Sequence, residues 1–191
     1  KMGEIAKIEL DGKVYEFPVI VGTENEKAID ISSLRGATGY ITIDPGFKNT
    51  GSTQSAITFL DGEEGILRYR GYSIEDLAEK ASFLETAYLL IFGELPTKEQ
   101  FEKFHTDIKS HSHVDEDIKK ILDGFPKSAH PMGVLSSLTN ALIAFNPSSV
   151  NVDSEEEMYN AIVRIMGKFP VLTAWAYRKR AGLPLDYGDD S

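Results

Sequence analysis

Residues 57–74 have the sequence ITFLDGEEGILRYRGYSI and contain the change from strand patterns to helix patterns that sets the fold class. Two short apolar runs, Ala56–Leu60 and Ile66–Tyr69, flank a turn-forming segment, which predicts a β-hairpin. Ser73 follows the hairpin, and Asp76 lies three residues later, a spacing typical of a helix N-terminus. The sequence therefore predicts β structure up to this point and helices beyond it.

The chain upstream of this stretch also has strand patterns. A hairpin is predicted from Ile5 to Phe17, because apolar residues alternate around Asp11-Gly12, a favoured two-residue turn. Tyr40–Ile43 predicts a short strand that ends at the turn residues Asp44-Pro45-Gly46. Roughly the first 70 residues are therefore expected to contain two small β units.

Helical patterns fill the chain downstream of this stretch. Helices are predicted after Ser73, at Phe83, after Thr97, at Asp115, at Pro131, at Ser154 and over Val171–Ala181. A break is expected near Gly167 and Phe169-Pro170, because proline interrupts helical hydrogen bonding. The predicted fold class is mainly α, with a β-rich region over residues 1–71 and a helical region over residues 72–191.

Composition narrows the functional classes. The 191 residues carry 20 Lys and Arg against 30 Asp and Glu, a formal net charge of −10, which disfavours nucleic acid and anionic membranes as partners. The absence of Cys excludes disulfides, thiolate metal sites and a cysteine nucleophile within this sequence. No apolar run reaches the ~20 residues of a membrane span, and no signal peptide opens the chain, so a soluble cytoplasmic protein is expected.

One group of residues could form a metal site. His111 and His113 are followed by Asp115, Glu116 and Asp117, all of which are potential ligands. Histidines two residues apart point to different faces of a helix, so they could share an ion only in a loop. We favour the alternative, a solvated linker in which Asp115 caps the next helix, and we expect neither a metal nor a cofactor.

Three basic or histidine-containing segments have both a functional and a structural interpretation. His130 could be catalytic, but Pro131 beside it favours a structural role at a helix start. Arg178-Lys179-Arg180 lies in the predicted last turn of a helix, where cations are favourable. Arg164 and Lys168, four residues apart, share one helical face and could either bind a phosphate or carboxylate or form a surface pair.

Well-known catalytic motifs are missing from the sequence. There is no Gly-x-Gly-x-x-Gly, no phosphate-binding Gly-Lys-Ser/Thr loop, no Gly-x-Ser-x-Gly elbow and no His-Glu-x-x-His. The residues alone therefore indicate no catalytic group.

Several ordered segments resemble the citrate synthase family. Residues 57–74 closely resemble a citrate synthase segment, and further matches follow in the same order at Tyr88–Leu90, Gly93–Thr97, Ser128–Met132 and Lys168–Pro170. Ile41–Phe47 and the N-terminal hairpin are similar to the bacterial type II branch. The resemblance extends from about Ile5 to Tyr187. It implies that this chain is the N-terminal part of a citrate synthase subunit, and that its helical region is an incomplete part of the multi-helical large domain.

The resemblance implies an acyltransferase of the tricarboxylic acid cycle that condenses acetyl-CoA with oxaloacetate to give citrate and CoA. In this family an Asp removes a proton from the acetyl group, a His stabilises the enol, and Arg and His residues hold the oxaloacetate carboxylates. The family's catalytic motifs are not matched within these residues, so no catalytic residue is assigned and the chain alone is expected to be inactive. The family also implies a homo-oligomer, either a dimer or a hexamer of three dimers.

Some type II members have an allosteric NADH site, and the resemblance extends to part of it. The matching positions retain His111, Arg164, Lys168 and Tyr187, although the family's Arg is Ser110 here and a nucleotide-contacting Tyr is replaced by Asn146. Loss of an arginine and an aromatic ring removes charge-assisted bonding and a packing surface. Weak or absent NADH inhibition is therefore expected.

Two other functions remain open from the sequence. One is 2-methylcitrate synthase, which uses propionyl-CoA on a related scaffold. The other is a non-catalytic helical module with a regulatory or partner-binding role. If the chain is part of a larger subunit, apolar residues normally covered should be exposed, with Val134, Leu135, Leu138, Leu172 and Trp175 as candidates.

Overall fold

The computed structural model describes residues 4–147, 151 and 153–187. The chain divides into two compact units, Lys1–Ala56 and Ile57–Ser191, each of which is described by itself. This division is based on packing. The predicted boundary after residue 71 is based on secondary structure and stays a prediction.

The first unit is built on a three-stranded antiparallel sheet in the order β1-β2-β3. Its elements are β1 (Ile5–Leu10), β2 (Lys13–Val21), β3 (Lys27–Ile29) and the short helix α1 (Leu34–Thr38). Asp11 and Gly12 have φ values of 51° and 73°, as a tight turn with two left-handed residues requires, which confirms the predicted hairpin. Among the described residues of this unit, Phe17 and Leu34 are buried apolar side chains.

The predicted strand at Tyr40–Ile43 is wrong. This segment has no regular secondary structure, and Ile43 is 90% exposed. A strand needs a neighbour to accept its hydrogen bonds, and among the described residues none pairs with it. The turn that follows is confirmed as the 3-10 turn Pro45–Phe47, and the Asp44 carboxylate accepts hydrogen bonds from Asn49 and Thr50.

The second unit opens with the predicted hairpin. It consists of β4 (Thr58–Asp61) and β5 (Ile66–Tyr69), and the two-residue strand β6 (Tyr72–Ser73) pairs with β5. Ser73 then caps α2 (Ile74–Lys80), since its hydroxyl accepts a hydrogen bond from the Asp76 amide at 3.1 Å. The predicted change from strand to helix is confirmed at this residue.

Among the described residues, five further helices follow in the second unit. They are α3 (Phe83–Phe92), α4 (Lys98–Ser110), α5 (Asp117–Asp123), α6 (Pro131–Phe145) and α7 (Glu155–Ala181). The Thr97–Gln100 pair forms the predicted capping box at the start of α4. The fourth predicted helix begins two residues later than expected, because the Asp115 carboxylate accepts a hydrogen bond from the Asp117 amide ahead of the first turn.

The predicted break between the last two helices is wrong, since α7 runs without interruption through Gly167 and Pro170. Proline inside a helix costs about 3 kcal/mol, because it removes one hydrogen bond and crowds the preceding turn. Val163 and Leu172, on either side of the proline, are both fully buried. Burial on both sides of the interruption offsets its cost and keeps one continuous helix.

The main core of the second unit lies where α5, α6 and α7 meet. It contains Ile118, Leu122, Leu138, Leu172 and Trp175 among its buried residues. The expectation that Val134, Leu135, Leu138, Leu172 and Trp175 would be exposed is therefore wrong, because the helices of this chain cover one another. None of the helices formed by the described residues is both long enough and apolar enough to cross a membrane.

Candidate functional site

The candidate site lies where α4 ends against the middle of α7. The two helices approach so closely at Gly167 that a Cβ atom placed there would lie 2.6 Å from the Ile108 carbonyl oxygen. It would also lie 3.1 Å from backbone atoms of His111 and Ser112. Only glycine leaves room for this crossing, which places the residues after α4 beside the predicted cations of α7.

Lys168 is one of these cations, and its ammonium donates a hydrogen bond to the His113 carbonyl oxygen. Burial lowers the pKa of Lys168 below its usual range, the nearby Arg164 guanidinium lowers it further, and Asp115 acts more weakly in the opposite direction. The surroundings of Lys168 therefore do not fully stabilise its positive charge. A bound anion would raise this pKa again, because it would stabilise the ammonium form.

Arg164 is the second cation, one helical turn before Lys168. Its Nη1 atom is buried and has no hydrogen-bond partner among the described residues. A buried guanidinium N–H without an acceptor is costly, and a bound anion would supply the missing acceptor. The spacing of Arg164 and Lys168 predicted that they share one helical face. In the structure the two cations are partly buried there.

His111 lies at the C-terminal end of α4, where its backbone approaches Gly167 of α7. Its Nδ1–H donates to the Asp107 carbonyl oxygen at 2.7 Å. Ser110 stands where the resemblance leads one to expect an arginine, and its hydroxyl donates to the same Asp107 carbonyl at 2.8 Å. This short side chain is bonded back to its own helix and supplies no further cation.

The fourth predicted nucleotide-site residue, Tyr187, lies beyond the C-terminal end of α7. Its ring packs edge-on against Trp175 at 5.5 Å between centroids, about two helical turns beyond Lys168. Asn146, where the resemblance leads one to expect a tyrosine, donates to the Leu142 carbonyl at 3.1 Å at the end of α6. The structure therefore places Arg164 near Lys168 and the His111 backbone beside Gly167, whereas Tyr187 packs against a different set of residues.

Two of the remaining motifs have structural partners in the chain. His130 caps α6, because its Nδ1 accepts a hydrogen bond from the Met132 amide at 3.3 Å. Lys179, in the last turn of α7, forms an ion pair with Asp123 at 2.5 Å. Within the described part of the chain, no three His, Asp or Glu side chains are grouped as a metal site requires, and this includes the segment around His111 and His113.

A groove that the sequence did not reveal lies between α3, α4 and α7. It has a volume of about 320 Å³ and is lined by Tyr88, Phe92, Gln100, Lys103 and Tyr159. The i, i+4 spacing of the first two aromatic residues was visible in the sequence, but the arrival of α7 beside them was not.

Asp107, at the edge of this groove, accepts hydrogen bonds from Lys103 at 2.5 Å and from the Tyr159 hydroxyl at 2.7 Å. These bonds hold the pKa of the Asp107 carboxyl below its usual range. Burial, followed by the bond to Asp107, raises the pKa of Tyr159. The three side chains therefore satisfy one another, and they tie α4 to α7 one turn before the cation pair.

Comparison with known proteins settles the family. Residues 46–191 match the family model described as "Citrate synthase, C-terminal domain". This chain belongs to the citrate synthase family. It is 44% identical over 186 residues to the citrate synthase of Corynebacterium glutamicum and 41% identical over 188 residues to citrate synthase 1 of Mycobacterium tuberculosis. These matches cover 97% and 98% of this chain but only 43% and 44% of the relatives.

Solved citrate synthase structures have the same helical fold. The enzyme from Pyrobaculum aerophilum superposes on 98% of this chain and on 43% of its own, with a TM-score of 0.68 and 25% identity. A structure from Thermoplasma acidophilum, a ternary complex with carboxymethyl coenzyme A and oxaloacetate, covers 76% of this chain and 38% of its own, with a TM-score of 0.65. Its identity of 21% supports the fold alone. The predicted family and the mainly α fold are therefore confirmed.

Proposed function

We propose that the protein to which this chain belongs condenses acetyl-CoA with oxaloacetate to give citrate and free CoA. The observation that carries this proposal is family membership, with 44% identity to a citrate synthase over 97% of the chain. The relatives are named citrate synthases, so this function is favoured over 2-methylcitrate synthase and over a non-catalytic module.

The test of this proposal is a thiol-release assay on the full-length product of the gene. We expect release of free CoA that requires both acetyl-CoA and oxaloacetate. Propionyl-CoA in place of acetyl-CoA is the matched control for the acyl group, and we expect slower turnover with it. Faster turnover with propionyl-CoA would overturn the citrate synthase assignment in favour of 2-methylcitrate synthase.

Within that reaction, we propose that the residues of this chain form scaffold and that catalytic His and Asp residues are supplied by the rest of the protein. The position of His130 supports this, since it serves as a helix cap at the start of α6. His111 likewise bonds to its own helix. A homo-oligomer, either a dimer or a hexamer of three dimers, and a cytoplasmic location remain part of the same proposal.

We also propose that Arg164 and Lys168 form an anion site of the allosteric NADH type that no longer responds strongly to NADH. The unpartnered Nη1 of Arg164 and the lowered pKa of Lys168 support anion binding. Ser110, bonded to the Asp107 carbonyl, and Asn146, bonded to the Leu142 carbonyl, supply neither a further cation nor a ring for a dinucleotide.

The measurement for this site is the NADH dependence of citrate synthase activity in the full-length protein. We expect no more than slight inhibition at millimolar NADH, because two of the groups that would hold the dinucleotide are replaced. NAD⁺ at the same concentration controls for nonspecific effects. Half-maximal inhibition by micromolar NADH, absent with NAD⁺, would contradict the proposal.

A further inference from the structure

The segment after α7 folds back along the helix that precedes it. Gly182, with φ of 71°, ends α7, and the Leu183 amide donates to the Arg178 carbonyl at 2.9 Å. This αL ending reverses the chain direction. Residues 183–187, here called the return segment, then lie beside the last turns of α7.

Two side chains of α7 hold backbone carbonyls of the return segment. The indole N–H of Trp175 donates to the Asp186 carbonyl at 2.5 Å, and the Nε–H of Arg178 donates to the Pro184 carbonyl. Trp175 is completely buried, whereas Tyr187 in the return segment is 51% exposed. The return segment therefore covers the indole while remaining at the surface itself.

A lysine from another helix completes the contact. The Lys119 ammonium of α5 lies 4.0 Å from the centroid of the Tyr187 ring and 5.5 Å from that of Trp175. The two rings meet edge-on at 76°. Lys119 also pairs with Glu116 on its own helix, and its side chain is only 21% exposed. A cation held against two aromatic faces is attracted by both of them, and partial burial strengthens that attraction.

We propose that Lys119, Trp175 and Tyr187 form a cation-dependent clamp that closes the return segment over Trp175. In this arrangement the positive charge of Lys119 keeps Tyr187 in place, and Tyr187 in turn keeps water away from the indole. Loss of the charge opens the segment locally and leaves the α5–α6–α7 core folded, because that core contains many other buried side chains. This inference does not depend on the proposed enzymatic function.

Trp175 is the only tryptophan of the chain, so its fluorescence reports the clamp directly. We expect Lys119→Gln to shift the emission maximum to longer wavelength and to raise the acrylamide quenching constant at least twofold. Lys119→Arg retains the cation and should leave both quantities unchanged. Lys120→Gln, at a neighbouring position whose side chain is 82% exposed and pairs with Asp117, removes the same charge away from the rings and is the matched control.

Two further variants test the aromatic side of the clamp. Tyr187→Phe retains a ring, so acrylamide should quench Trp175 fluorescence in this variant as it does in the parent chain. In Tyr187→Leu the quenching constant should rise as it does in Lys119→Gln. Far-UV circular dichroism establishes that each variant is folded. If Lys119→Gln does not fold, the difference in quenching constant between the two Tyr187 variants tests the proposal instead. Unchanged quenching in folded Lys119→Gln, or equal quenching in the two Tyr187 variants, would overturn the proposal.

Discussion

Replacement of Gly167 by alanine is expected to lower the free energy of unfolding by ~1–3 kcal/mol and to disturb the cation site at the same time. The added Cβ would lie 2.6 Å from the Ile108 carbonyl oxygen, far inside the normal contact distance. The three nearest atoms are all backbone atoms, at Ile108, His111 and Ser112, so none can move away by a side-chain rotation. The end of α4 must therefore shift away from α7.

The same shift should be visible at Lys168, whose ammonium bonds to the His113 carbonyl immediately after α4. Loss of that bond exposes the ammonium, so the pKa of Lys168 should return toward its ordinary value in the Gly167→Ala variant. Urea denaturation measures the change in stability, and NMR titration of the lysine measures the change in pKa.

Gly133→Ala is the matched control for this substitution. Gly133 is a helical glycine in α6, and a Cβ placed there would meet no atom within 4 Å. Alanine should therefore stabilise the chain at this position by about 0.5–1 kcal/mol, because it reduces the backbone entropy lost on folding. Equal effects of the two substitutions would contradict the close crossing of α4 and α7.

Leu138→Ala is expected to destabilise the second unit by about 2–5 kcal/mol, the range for deletion of a fully buried leucine side chain. Leu138 is 0% exposed and lies in the core between α5, α6 and α7 with Ile118, Leu172 and Trp175. The large neighbouring side chains cannot collapse fully into the cavity that is left, so the loss exceeds the transfer free energy of the missing atoms.

Ile143→Ala on the same helix serves as the control for Leu138→Ala. Ile143 is 49% exposed, so its truncation removes a similar number of carbon atoms but little buried area. We expect a change within about 0.5 kcal/mol for this surface substitution. Urea denaturation of both variants tests the assignment of the core. An equal loss in the free energy of unfolding at Ile143 and at Leu138 would contradict the assignment of the Leu138 face of α6 to the core.

The parts of the fold that depend on nearby residues could be predicted from the sequence. Thr97 and Gln100 are three residues apart, so their capping box needs no information from the rest of the chain. The interruption of α7 was predicted wrongly because contacts between distant parts of the chain decide it. Pro170 is a strong local signal, but burial of Val163 and Leu172 against other helices outweighs it.

The candidate site shows the same division between local and distant information. Arg164 and Lys168 are four residues apart, so their common face was predictable. The burial of Arg164 Nη1 depends on how α7 packs, and the bond from Lys168 to His113 joins residues 55 positions apart in the chain. Tyr187 was selected by resemblance alone, and nothing in the local sequence indicated that it would pack against Trp175.

The measurement that tests the central claim most directly compares CoA release by two preparations, the full-length gene product and this 191-residue chain alone. We predict that the full-length protein releases CoA only when acetyl-CoA and oxaloacetate are both present, and that the chain alone releases none above the blank. Turnover by the chain alone that requires both substrates would contradict its role as scaffold. A folded full-length protein without turnover on either acetyl-CoA or propionyl-CoA would contradict the proposed enzyme.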